Sequence, residues 1–62
     1  MFKDALKTQL EAKEWGAGKL SDELGMSLNS VNNWLSGAQT PTYKTIILIA
    51  QKLDISPGLL FK

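Results

Sequence analysis

Phe2, Ala5, Leu6 and Leu10 recur at helical spacing among charged and polar neighbours, so the pattern predicts an amphipathic first helix over residues 2–14. Trp15-Gly16-Ala17-Gly18 breaks that helix and opens the next. Leu20 and Leu24 share one face of a second helix over residues 17–24, with Gly18 weakening its first turn and Gly25 placed for a left-handed C-cap. Ser27 is a good N-cap for a third helix that turns Val31, Trp34 and Leu35 inward and ends at Gly37. After a Thr40-Pro41-Thr42 turn, Thr42 can cap a fourth helix over residues 43–53, whose buried stripe is Ile46, Ile49, Ala50 and Leu53. Ser56-Pro57 then reads as an N-cap followed by proline at the first helical position, opening a short fifth helix through Leu59, Leu60 and Phe61. No strand alternation, repeat or low-complexity tract interrupts the series. The expected fold class is all-α, with five short helices.

Sixty-two residues, 44% hydrophobic and 21% charged, suit one globular domain at the lower end of what folds alone. No apolar run approaches the ~18 residues of a membrane span, and the charged first residues do not read as a secretory signal. The absence of Cys and His removes thiol nucleophiles, histidine bases and most structural zinc sites. An enzyme is not expected, nor a cofactor, metal or small-molecule ligand. The lack of disulfides fits the cytoplasm. Small unstapled scaffolds often depend on a partner subunit, which raises the expectation of an oligomer.

The net charge is only +1, but it is unevenly spread. Residues 1–24 carry four Lys and five acids, residues 25–62 three Lys and one acid, and no charged residue stands between Gly25 and Tyr43. Such an uncharged stretch is either core or a surface kept for something other than water.

Within that stretch, Gly25-Met26-Ser27 joins helices two and three by a three-residue turn, with a glycine that tolerates positive φ and a hydrophobic plug after it. This is a helix-turn-helix arrangement, whose second helix can enter a DNA major groove. On a wheel of 100° per residue, Leu28, Trp34 and Leu35 fall within about 60° of Val31. Asn29, Asn32, Asn33 and Ser36 gather on the opposite face. An ordinary solvated face would favour long charged helix formers, and asparagine is a mediocre one. Asparagine does offer the paired donor and acceptor that meet adenine N6 and N7, while Leu28, at the border of the face, can touch a thymine methyl. These residues point to A·T pairs in duplex DNA. Such a face also occurs as plain polar surface.

Phosphate contacts would have to come from Lys44, the hydroxyls of Thr40, Thr42 and Tyr43, Lys19, and backbone N–H groups at helix starts. So few cations predict a weak monomer, and a dimer doubling the contacts is the natural remedy. Trp34 reads as core and Trp15 as a cap over helix one, with base stacking as its other use. Asp22 and Glu23 read as a solvated face. Leu48 lies about 200° from Ile46 on the helix-four wheel and is expected to be exposed. With Ile47, Pro57, Gly58 and Phe61 it would form an apolar patch of the kind that marks an interface; a lone exposed leucine is the blander reading.

The ordered series Leu20-Ser21, Gly25-Met26-Ser27, Val31, Trp34-Leu35 and Gly37 resembles the helix-turn-helix core of lambda-type phage repressors and Cro proteins (Xre-like domains). The likeness continues through Pro41, Ile46-Ile47, Ile49-Ala50, Leu53, Ile55-Ser56 and Leu59-Leu60, covering roughly residues 15–61. It implies a five-helix domain that binds operator DNA as a homodimer and regulates transcription, with dimer contacts around helix five. Carried over by position, base reading falls on Leu28, Asn29 and Asn33, supported by Ser30 and Asn32. Backbone contacts fall on Gly16 and Ala17 and on residues 40–44. Ala17 stands where the family usually has glutamine, Ser21 where a small alanine commonly packs, and Leu28 where a polar reader is frequent.

The resulting expectation is a single-domain repressor of Cro type spanning residues 1–62, with no room for a sensor or effector domain. A dimer would set helix 28–35 of each copy in successive major grooves and occlude polymerase. The rival, from another class, is a protein-interaction module on the same fold, an antirepressor or antitoxin component with little DNA affinity. Low net charge favours it.

Overall fold

A computed structural model describes residues 1–61. It contains four α-helices: α1 (Phe2–Lys13), α2 (Ala17–Leu24), α3 (Leu28–Ser36) and α4 (Tyr43–Leu53). Among the described residues there is no strand. The expected fifth helix is a correction: Pro57–Leu59 forms one turn of 3-10 helix. Its bonds run from Leu59 N–H to Ser56 O (3.0 Å) and from Leu60 N–H to Pro57 O (2.9 Å), and Ser56 makes no side-chain cap. Leu60 is already buried at the end of that turn, so the chain is pinned to the core before a second turn can form.

The helix ends follow from local chemistry. At the start of α3 the Ser27 hydroxyl accepts from Ser30 N–H (3.2 Å), and at the start of α4 the Thr42 hydroxyl accepts from Thr45 N–H (3.3 Å). Each such cap is worth about 1 kcal/mol. Helices α1, α2 and α4 end on left-handed residues, Glu14, Gly25 and Asp54. In each case the next N–H reaches back five residues: Trp15 to Leu10 O (2.9 Å), Met26 to Ser21 O (3.1 Å) and Ile55 to Ala50 O (3.0 Å). Those bonds satisfy carbonyls that the helix ends would otherwise leave open. Helix α1 therefore stops one residue short of the expected Glu14.

The core takes Leu6 and Leu10 from α1, Leu20 from α2, Val31 and Trp34 from α3, Ile46, Ile49, Ala50 and Leu53 from α4, and Leu60. Every position of the predicted α4 stripe is buried. Helix α2 packs on α3 and α4, α1 covers α3 and touches α4, and the 3-10 turn folds back onto α4. Met26, expected as a plug in the α2–α3 turn, is 38% exposed. Leu24, half-buried two residues earlier, packs against the core in its place. Leu35, also expected inward, is half-buried at the core margin.

Candidate nucleic-acid interface

Because Val31 and Trp34 anchor α3 from one side, the opposite side is held outward. Asn29, Asn32 and Ser36 are exposed there, and Leu28 is 48% exposed at the N-terminal end. Ser30 is half-buried, and its hydroxyl lies 3.1 Å from the Ser27 hydroxyl. Its polar atom is thus tied into the helix cap, while Asn29 and Asn32 take part in no side-chain hydrogen bond among the described residues. The Gly25 backbone that sets this helix against α2 has φ +66°, a conformation that favours glycine.

Asn33 is different. It is half-buried, and three bonds converge on it. Its carbonyl accepts from Gln39 N–H (3.1 Å) and from the Ser36 hydroxyl (3.2 Å), and its Nδ2 donates to Gln39 Oε1 (3.4 Å). The loop after α3 is folded back along the helix by these contacts. Gln39 was not among the residues that sequence reasoning selected. No periodicity marks a loop glutamine, and only the left-handed Gly37 (φ +85°) hints that the chain reverses there.

Two helix starts flank α3. The N-cap of α2 is Gly16, which offers no side-chain acceptor, so the first N–H groups of that helix have no cap. Nothing lies within 4 Å of where a Cβ on Gly16 or Gly18 would sit. A phosphate oxygen can therefore approach this backbone closely, at the positive end of the helix dipole. Ala17 beside it is half-buried against the core. The start of α4 presents Thr40, Thr42 and Lys44, all exposed, with Thr42 and Thr45 hydroxyls 3.0 Å apart. Lys19 is held on its own helix, 3.4 Å from Glu23 and with Nζ 5.3 Å from the Trp15 ring centroid. Trp15 thus caps the core and carries a lysine on its other face. Lys3 of α1 lies along Gly37, its Cδ 3.0 Å from where a Cβ there would sit, which brings a further cation to the end of α3. In sequence it was one lysine of an ordinary amphipathic helix.

A second surface runs along α4. Tyr43, Lys44, Thr45, Ile47, Leu48 and Gln51 line an apolar groove. Leu48 is half-buried, a correction to the expected exposure, and Lys44 and Gln51, its neighbours at one turn's distance, line the same groove. Ile47 and Pro57 are half-buried too, whereas Gly58 and Phe61 are exposed. Tyr43 and Phe61, which the sequence assigned to different surfaces, stack with centroids 5.2 Å apart and planes at 26°. Among the described residues no helix is long and apolar enough to cross a membrane.

A glycine-jointed pair of helices, the second bare along one side and backed by helical packing, defines a helix-turn-helix protein. Residues 6–60 match the helix-turn-helix family, and the chain belongs to it. It is of the phage-repressor type: it is 34% identical over 55 residues to the cryptic phage CTXphi transcriptional repressor RstR of Vibrio cholerae serotype O1. That match covers 89% of this chain and 49% of the relative, so the chain spans about half the length of the curated relative it matches. No solved structure matches.

Proposed function

We propose that this chain is the sequence-reading module of a transcriptional regulator, a repressor of Cro type that binds operator DNA in the cytoplasm as a homodimer. The observation that carries this reading is the exposed asparagine face of α3, bare of charge and fixed outward by the buried Val31 and Trp34. Asn29 and Asn33 read adenine edges, with Asn32 beside them and Leu28 against thymine methyls. The Gly16 and Ala17 backbone, Lys19, Thr40, Thr42, Tyr43 and Lys44 hold the phosphates on either side. Ser30 supports the reading helix through the cap rather than through a base. Membership of the helix-turn-helix family and the likeness to a phage repressor support the DNA target.

The α4 groove and the Tyr43–Phe61 stack form the surface on which two copies meet, through Ile47, Leu48, Pro57, Gly58 and Phe61. Bound to two half-sites, the dimer blocks polymerase by occupation of the promoter. A mobility-shift titration against a random duplex pool at two salt concentrations tests the reading. Binding must weaken as salt rises, because phosphate contacts release counterions. Absent or salt-insensitive binding would transfer the α4 groove to a protein partner and favour an antirepressor or antitoxin role, the reading that the lack of any cation on α3 supports.

A further inference from the structure

An asparagine reads adenine only if it presents one amide N–H and its carbonyl oxygen together, in one plane and in the correct order. The amide has two donors and one acceptor, and a free side chain turns over between orientations. Asn29 and Asn32 are unrestrained in this respect. Asn33 is not: its Nδ2 gives one proton to Gln39 Oε1 at 3.4 Å, and the Gln39 backbone is itself tied to Asn33 O at 3.1 Å. Ser36 Oγ donates to that same backbone carbonyl at 3.2 Å and accepts from Ala38 N–H at 3.3 Å, so the backbone on both sides of the Ala38–Gln39 bond is tied to the end of α3. When the proton given to Gln39 is the one trans to Oδ1, what Asn33 retains is Oδ1 and the N–H cis to it, the pair that adenine N6 and N7 require.

We propose that Gln39 is a positioning residue for base reading, its side-chain carbonyl clasping the Asn33 amide so that the remaining donor and acceptor meet adenine in the correct order. The inference rests on the DNA-reading function proposed above. Gln39 itself touches no base in this account. It acts by lowering the cost of ordering Asn33 on binding, the general benefit of preorganisation.

The test uses the full chain and duplexes selected by it from a random pool. The position read by Asn33 is the one at which Asn33→Ala loses discrimination. There, the ratio of affinities for adenine over the other bases is measured for Gln39→Met, which keeps length and removes the acceptor, and for Gln39→Glu, which keeps it. Gln39→Met is expected to cut the ratio about three- to tenfold, part of the roughly five- to 150-fold that a paired contact supplies. Gln39→Glu should lower affinity for every duplex by its charge yet leave the ratio intact. In the Asn33→Ala background Gln39→Met should change the ratio no further, the non-additivity that marks two residues acting as one. An unchanged ratio in Gln39→Met overturns the proposal, and so does an equal loss in both backgrounds, since Gln39 would then read a base of its own. In the DNA-free chain, the side-chain NH₂ resonances of Asn33 should show one proton protected from exchange in the parent and not in Gln39→Met. That arm keeps the two failures apart. A clasp seen there without any selected duplex removes the DNA reading and this inference with it, whereas selected duplexes with an indifferent Gln39 remove this inference alone.

Discussion

Lys44 is the exposed cation at the start of α4, two residues beyond the Thr42 cap. It has no ion-pair partner among the described residues, unlike Lys19, which shares its charge with Glu23. A surface pair such as Lys19–Glu23 contributes little to stability and is screened by salt. Its larger consequence is that the Lys19 ammonium must leave Glu23 before it can contact a phosphate. Lys44→Ala should therefore weaken binding to all duplexes about equally and lower the salt slope by about 1, as the loss of one phosphate contact does. Titrations at three or more salt concentrations measure it; a change confined to some sequences would place Lys44 at a base edge instead. Lys19→Ala should cost less than Lys44→Ala in the same titrations, and the reverse order would mean that Glu23 does not hold it.

The elements themselves were largely legible in the chain, and the reasons are local. Ser27 and Thr42 cap the helices they were expected to cap, and Gly25 and Gly37 adopt the left-handed conformation their positions suggest. The α4 stripe is buried because its spacing of three and four residues matches the helical period. What could not be read there depends on contacts across the fold. The last element has a helix start signal in Ser56-Pro57, but Leu60 is captured by the core after a single 3-10 turn. Wheel geometry turns Leu48 outward yet says nothing of the Lys44 and Gln51 stems beside it. The same holds at the candidate site, where the outward asparagines follow from periodicity while the Asn33–Gln39 bond joins residues six apart through a loop. Gly25→Ala should destabilise the chain by about 1 kcal/mol, since φ +66° disfavours a Cβ although the surrounding space is open. Ser27→Ala should cost a similar ~1 kcal/mol through the lost cap. Urea unfolding reads both, and a neutral Gly25→Ala would show that the turn relaxes.

For the whole molecule, what matters is that the reading face and the apolar groove are carried by different helices and meet at the start of α4, where Tyr43 and Lys44 line the groove and also stand among the phosphate contacts proposed above. Helix α3 packs on α1 and α2, while the apolar groove lies along α4, which packs on α2, α1 and the 3-10 turn. The body measures 24 × 21 × 20 Å, so two copies side by side have centres roughly that far apart. Half-sites one helical turn apart lie about 34 Å from centre to centre. A dimer joined through α4 spans that distance when each α3 lies to the outer side of its own subunit. Leu48→Glu or Phe61→Glu should then shift sedimentation toward monomer and weaken operator binding together, since a charge is buried in the seam. No shift from either would discard the α4 surface as the dimer contact. The central claim is that the amide side of α3 meets base edges, and the most direct measurement is selection of bound duplexes from a random pool, run in parallel with the parent chain and the Asn29→Ala and Asn33→Ala variants. The parent should return an A·T-containing palindrome, and each variant should lose about 1–3 kcal/mol of discrimination at its own position while remaining folded. Variants that return the parent's sequence with the parent's preferences would show that α3 does not read DNA.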